Sequence, residues 1–128
     1  MCKGTKQTTK KHKNLKFLDV RVRTRYNEEM NEVHIPVLLE SVLKYLKPSA
    51  GESYLDLTAG YGGHADKILE VTQNYNEAVL NDRDQNAIDF LMAKYQVVKP
   101  KLMHDDFYST ALRLVENKQR FDMILADF

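Results

Sequence analysis

The chain reads as an α/β domain, a parallel sheet with helices on both faces. Three observations predict it. Short apolar runs alternate with segments of helical periodicity from about residue 35 onward. The first run, Ser53 to Thr58, leads into a glycine-rich turn, Gly60-Tyr61-Gly62-Gly63, and then a helix; open α/β sheets present backbone N–H groups to a nucleotide-like ligand in this way. The last run, Phe121 to Ala126, is almost continuously apolar, as a parallel strand buried on both faces requires.

Composition sets the outer bounds. With 128 residues, 43% of them hydrophobic and 29% charged, the chain has the size and make-up of one small globular domain with a real core. No apolar stretch approaches the roughly 20 residues of a membrane span. Met1 to Lys16 is basic and polar without an apolar core, which argues against a secretory signal. Cys2 is the single cysteine. That rules out an internal disulfide and a multi-cysteine metal site, and points to a reducing, cytoplasmic setting.

The charge is unevenly spread. Residues 1–29 carry nine Lys/Arg against three acids, hence +6, and the whole chain is +1, which leaves the other 99 residues at −5. Such an arm, read as flexible, suits contact with a polyanion through phosphate neutralisation. It equally suits a solubilising leader, or sequence upstream of a true start at Met30. Residues 30–128 form the patterned body.

The elements of the body follow in order. Ile35, Leu38, Leu39, Val42, Leu43 and Leu46 make one apolar stripe of a lead-in helix, with Pro36 in its first turn and Pro48 to Gly51 ending it. Ser53 to Thr58 is the first strand. His64 to about Thr72 is a helix with Ala65, Ile68, Leu69 and Thr72 inward. Glu77 to Asn81 is the second strand, ending at Asp82. Gln85 to Tyr95 is a helix with Ile88, Leu91, Met92 and Tyr95 on one stripe. Lys99-Pro100 breaks the chain before a third strand, Lys101 to His104. Ser109 is the expected N-cap of a helix running to about Asn117, with Leu112 and Val115 inward. Phe121 to Ala126 is the fourth strand. A doubly wound domain continues beyond such a strand, so the sequence predicts a fold truncated after its fourth strand.

The loop Gly60 to Ala65 parses as G-x-G-x-x-A, with Asp82 about twenty residues downstream where a ribose-binding acid belongs. Glycine supplies the left-handed turn and keeps a Cβ out of the ligand's way. This spacing fits NAD and S-adenosylmethionine equally. A tight turn without ligand is the plainer reading of the glycines, and a loop acid or cap that of Asp82. His64 alone is as well read as a cap. No histidine or cysteine makes metal-ligand spacing with it. Asp127 ends its strand at the carboxyl edge, where ligands bind, whereas Asp56 lies further inside, a position also suited to a structural role. Acids there suit a sulfonium better than a pyrophosphate, which tilts the reading toward a methyl donor.

The segment His34-Ile35-Pro36-Val37-Leu38-Leu39-Glu40 is followed by Tyr54-Leu55-Asp56-Leu57-Thr58-Ala59-Gly60-Tyr61-Gly62-Gly63-His64 and then by Asn81-Asp82-Arg83-Asp84. With the tail His104-Asp105-Asp106-Phe107 and Phe121 to Asp127, it resembles, over about residues 33–128, the MraW family of bacterial small-subunit ribosomal RNA cytosine-N4 methyltransferases. The resemblance implies a Rossmann-like methyltransferase fold and S-adenosyl-L-methionine as cofactor. It implies that Gly62, Gly63 and His64 contact the methionine end of that cofactor and that Asp82 holds the ribose hydroxyls. Phe107 would lie beside the adenine, with Asp106 as second choice for the adenine amino group, and Asp127 close to the donor. Without the family, Phe107 reads as an ordinary core aromatic.

The implied reaction is in-line methyl transfer to the exocyclic amine of a cytidine in ribosomal RNA, presented from a single-stranded or flipped-out position. The residue accepting the amine proton is not assignable from the sequence. Tyr61 departs from the arginine usual at that position. The family also continues, past the fourth strand, into segments expected to hold the cytosine and the RNA. The chain is therefore expected to bind the cofactor and methylate little or nothing alone. Two other readings fit parts of the sequence: a non-catalytic nucleotide- or RNA-binding module using the basic arm, and an NAD-binding Rossmann fragment.

Overall fold

A computed structural model describes residues 15–19 and 34–128, with the side chains of residues 19 and 34–37 outside the description. Among the described residues five strands form one parallel sheet: β1 (Lys16–Asp19), β2 (Tyr54–Asp56), β3 (Val79–Asp82), β4 (Lys101–His104) and β5 (Met123–Ala126). Four described helices accompany them: α1 (His34–Leu46), α2 (Gly63–Thr72), α3 (Gln85–Lys94) and α4 (Phe107–Glu116). The strand order is β1-β5-β2-β3-β4. From β2 the chain steps outward through β3 to β4, then returns to lay β5 on β2's other side. The order thus reverses between β2 and β5, and this switch point is where a doubly wound sheet opens a crevice.

The two faces are covered unequally. Tyr54, Leu80, Met123 and Leu125 share one core with Val42 and Leu46 of α1, Ile68 and Leu69 of α2, and Leu91 of α3. On the other face Leu55, Leu57, Val79, Met103 and Ala126 meet Leu114 of α4. The predicted stripe of α2 is buried as expected at Ala65, Ile68, Leu69 and Thr72. The stripe of α3 holds at Ile88, Leu91 and Tyr95, but Met92 is 60% exposed. Among the described residues no helix is long and apolar enough to cross a membrane.

Three further points differ from the sequence expectation. The helix α4 starts at Phe107 and is capped by Asp106, whose side chain accepts from the Ser109 backbone N–H at 2.8 Å. Ser109, expected as the cap, is the residue being capped. Leu112 and Val115, expected inward, are 46% and 72% exposed, while Thr110 and Leu114 are buried. The reason is a polar partner: the Thr110 hydroxyl donates to the Asn81 side chain at 2.7 Å, so a threonine takes the inward position. The third difference is β1, a strand inside the stretch expected as an arm. Lys16 to Asp19 pairs in parallel with Met123 to Ala126. The Lys16 ammonium donates to the Lys47 carbonyl at 2.8 Å and reaches the buried Glu52 carboxylate at 3.1 Å. The rest of the expected arm lies outside the described residues.

Helix α3 has the N-cap its sequence promises. Asp84 is extended and accepts from the Asn86 N–H at 2.9 Å. Asp84→Ala is expected to cost about 1 kcal/mol of stability, read as a fall in the thermal midpoint of a few degrees. An unchanged midpoint would show that the cap contributes nothing to folding.

Candidate functional site

The carboxyl edge of the sheet is built from the turn after β2. Gly60 and Gly62 adopt left-handed φ values of 56° and 83°. The Ala59 N–H donates to the Asn81 carbonyl at 2.8 Å and the Gly60 N–H to Asp82 Oδ2 at 2.8 Å, so the turn is held by the end of β3. Gly62 is the N-cap of α2 and makes no side-chain cap bond, so the first N–H groups of that helix keep their donor capacity. A latch from α3 holds the turn from outside. Asp66 of α2 accepts from both the Lys94 ammonium and the Tyr95 hydroxyl, and Lys94 also reaches the Tyr61 carbonyl at 3.4 Å. Tyr61, the position where arginine was expected, sets its ring edge-on to Phe90 with centroids 5.0 Å apart.

A cleft of about 460 Å³ opens at this edge, and Asp82, Phe107 and Asp127 all line it. Asp82 ends β3, with Oδ2 on Gly60 N–H and Oδ1 accepting from Asp84 N–H at 2.9 Å. A carboxylate has about four lone-pair sites, so both oxygens retain capacity for a pair of hydroxyls. Phe107, the first residue of α4, is 47% exposed and packs its ring 4.3 Å from that of Phe128. Asp127 follows β5, and its N–H donates to Thr58 Oγ1 at 2.7 Å, joining the two loops at the switch point. Gly62, Gly63 and His64 do not line this cleft; they lie along the adjoining turn. His64 is half-buried, and loss of hydration lowers its pKa while the charge of Asp127 opposes the shift. Asp106, the second choice for an adenine contact, lines the cleft with both carboxylate oxygens engaged by Ser109. Among the described residues no cluster of His, Cys, Asp or Glu could hold a metal ion.

Two buried polar residues complete the edge. Asn81, one residue before Asp82, is 1% exposed and donates to the carbonyls of Leu57 and Asp105, both at 3.1 Å. It was not singled out from the sequence; an amide closing the apolar run Ala78-Val79-Leu80 was the available signal. Asp56, 1% exposed, accepts from the Tyr54 hydroxyl at 2.7 Å and the Thr58 N–H at 3.0 Å. Burial pushes its pKa up to about 6, with Asp82 and Asp127 adding to the rise and the two hydrogen bonds opposing it.

The Asp56 shift has a pH signature. The folded chain holds this proton up to about pH 6, whereas an unfolded carboxyl releases it near 3.8. Unfolding therefore releases a proton within that window, and this group's contribution to stability falls as pH rises from about 4 to 6. Above it the charged form costs about 3 kcal/mol relative to acid conditions. Asp56→Asn should remove this component, so the difference between wild-type and variant unfolding free energies should change with pH across the window. A flat difference profile would refute the shifted carboxyl.

An open parallel sheet whose glycine turn and β3 carboxylate meet at the switch point is a Rossmann-like α/β domain, with a cleft at its carboxyl edge. The sequence profile of the MraW methylase family matches residues 31–128, and the chain belongs to that family. It is 51% identical over 59 residues to a protein of Rickettsia bellii named ribosomal RNA small subunit methyltransferase H, covering 46% of this chain and 19% of that one. Proteins of the same name from Caldicellulosiruptor bescii and a Cyanothece species are 38% identical over 98 residues and 40% over 96. Each of these two matches covers 74% of this chain, and 32% and 31% of the relative respectively. The chain thus spans less than a third of the length of these relatives.

Proposed function

We propose that the chain is the cofactor-binding part of an S-adenosylmethionine-dependent methyltransferase acting on the N4 amine of a cytidine in small-subunit ribosomal RNA. The observation that carries this is the placement of Asp82, which braces the glycine turn at Gly60 and faces the same cleft as Phe107 and Asp127. The residues fit the cofactor chemically. Asp82 offers acceptors to a ribose diol, Phe107 an aromatic surface to adenine, and the turn Gly62-Gly63-His64 backbone donors to a carboxylate. A Cβ at Gly60 or Gly63 would meet nothing within 4 Å, so that side of the turn is open. When bound, S-adenosylmethionine supplies an electrophilic methyl group on a sulfonium centre. On the family resemblance Asp127 would set a carboxylate close to that centre, and loss of hydration lowers the pKa of His64, which favours its neutral form. The chain's own task is to fix the donor so that an incoming amine meets it in line.

The relatives' names supply the ribosomal RNA substrate, and the family resemblance of the sequence supplies the cytidine amine. The basic residues of the first 29 that lie outside β1 suit contact with RNA, residues 30–128 are read as the cofactor half, and the setting as cytoplasmic. Calorimetric titration of the 128-residue chain with S-adenosylhomocysteine and with NAD tests the cofactor. Binding of the first and not the second is expected. Preference for NAD, or no binding of either, would overturn the reading.

A further inference from the structure

Among the described side chains of this edge that the proposed site does not use, Asn81 makes the most hydrogen bonds. Asn81 sits at the carboxyl end of β3 with 1% of its surface exposed. Its Nδ2 donates to the carbonyl of Leu57, at the exit of β2, and to the carbonyl of Asp105, at the exit of β4. Its Oδ1 accepts from the hydroxyl of Thr110, itself fully buried in α4. Its backbone carbonyl accepts from Ala59 N–H, at the start of the glycine turn. One residue thus ties together the strand before the turn, the turn itself, the loop after β4 and the helix that begins with Phe107.

Leu57, Asp105 and Phe107 line the cleft together with Asp82 and Asn81 itself, and Thr110 lies in the helix that Phe107 begins. A side chain that bonds the segments carrying these residues holds them in fixed relation. No apolar residue could do this, because two carbonyls and a buried hydroxyl would lose their partners at once. We infer that Asn81 is the positioning residue of this cleft, fixing how Asp82 and Phe107 stand relative to each other and thereby the affinity for the nucleoside part of the ligand. The inference rests on the reading of the cleft as an adenosyl site. Asn81 does so through the protein: its amide is engaged by Leu57, Asp105 and Thr110.

The test uses the full 128-residue chain with adenosine and S-adenosylhomocysteine as probes. Asn81→Leu keeps the number and branching of the side-chain heavy atoms and removes the bonds; Thr110→Val removes only the hydroxyl partner. Leu46→Ala, in the core between α1 and the sheet, provides a destabilised control remote from the cleft. Affinities are measured well below each variant's thermal midpoint. Asn81→Leu should bind both probes roughly tenfold more weakly or worse, and Thr110→Val several-fold more weakly, with Leu46→Ala unchanged despite its lower midpoint. A merely structural Asn81 would behave like Leu46→Ala, losing midpoint and keeping affinity, and that result overturns the assignment. If Asn81→Leu does not fold, Thr110→Val decides, and unchanged affinity there overturns it equally. Failure of the unsubstituted chain to bind either probe would instead remove the adenosyl reading, and this assignment with it.

Discussion

Asp82→Ala is expected to weaken S-adenosylhomocysteine binding by roughly a hundredfold or more, measured by calorimetry on the intact chain. Two hydrogen bonds from ribose hydroxyls to a charged acceptor are worth about 1.5–3 kcal/mol each, and every 1.4 kcal/mol is about a factor of ten. The same carboxylate accepts from Gly60 N–H at 2.8 Å, so its loss also releases the turn. Asp82→Asn separates the two roles. An asparagine oxygen can keep the Gly60 bond while the charge and one acceptor disappear, so its loss should be smaller than that of the alanine variant. Equal affinity in wild type and Asp82→Ala would remove Asp82 from the site.

Gly62→Ala should destabilise the fold by about 3 kcal/mol, the largest stability effect expected of any single methyl group in the turn. Two costs combine. A non-glycine residue at φ 83° carries about 1–2 kcal/mol of backbone strain. The added Cβ would also lie 2.9 Å from Leu91 Cδ2, and Leu91 is fully buried, so it has no free space to retreat into; overpacking of this kind costs about 1–3 kcal/mol. Gly60→Ala is the internal comparison. It has a positive φ of 56° but open space around its Cβ, so strain alone should act, about 1 kcal/mol. Denaturant unfolding of the two variants should rank Gly62→Ala clearly below Gly60→Ala. Adding Leu91→Ala to Gly62→Ala should recover part of the clash, giving a double-mutant coupling of the opposite sign to the single losses. Equal stability of the two glycine variants would refute the contact.

Legibility in the sequence followed the range of each interaction. The apolar stripe of α2 is a local pattern within ten residues, and each of its four predicted inward residues is buried. The glycine turn and Asp82 could be read because their spacing along the chain reflects a strand-turn-helix-strand unit of nearly constant length. The face of α4 could not. Leu112 and Val115 form an apolar stripe as good as any other, and what turns Thr110 inward is Asn81, 29 positions earlier and on strand β3. Strand β1 was illegible for the same reason. Its four residues, Lys-Phe-Leu-Asp, carry no strong pattern, and their partner strand is at the far end of the chain.

The sequence by itself determined the order of elements from α1 to β5, the parallel α/β class, the place of the glycine turn and the acid at the end of β3. Each is written in periodicity or spacing, which need no knowledge of what lies across the sheet. Only the tertiary structure decided that Asp82, Phe107 and Asp127 share one cleft while Gly62 to His64 lie beside it, that Asp56 is buried enough to hold its proton to about pH 6, and that a single amide, Asn81, bonds the backbone of both Leu57 and Asp105 at that cleft. Those outcomes depend on which strands become neighbours. A sheet ordered β1-β5-β2-β3-β4 brings together residues that the chain keeps far apart, and burial then gives each hydrogen bond between them its weight.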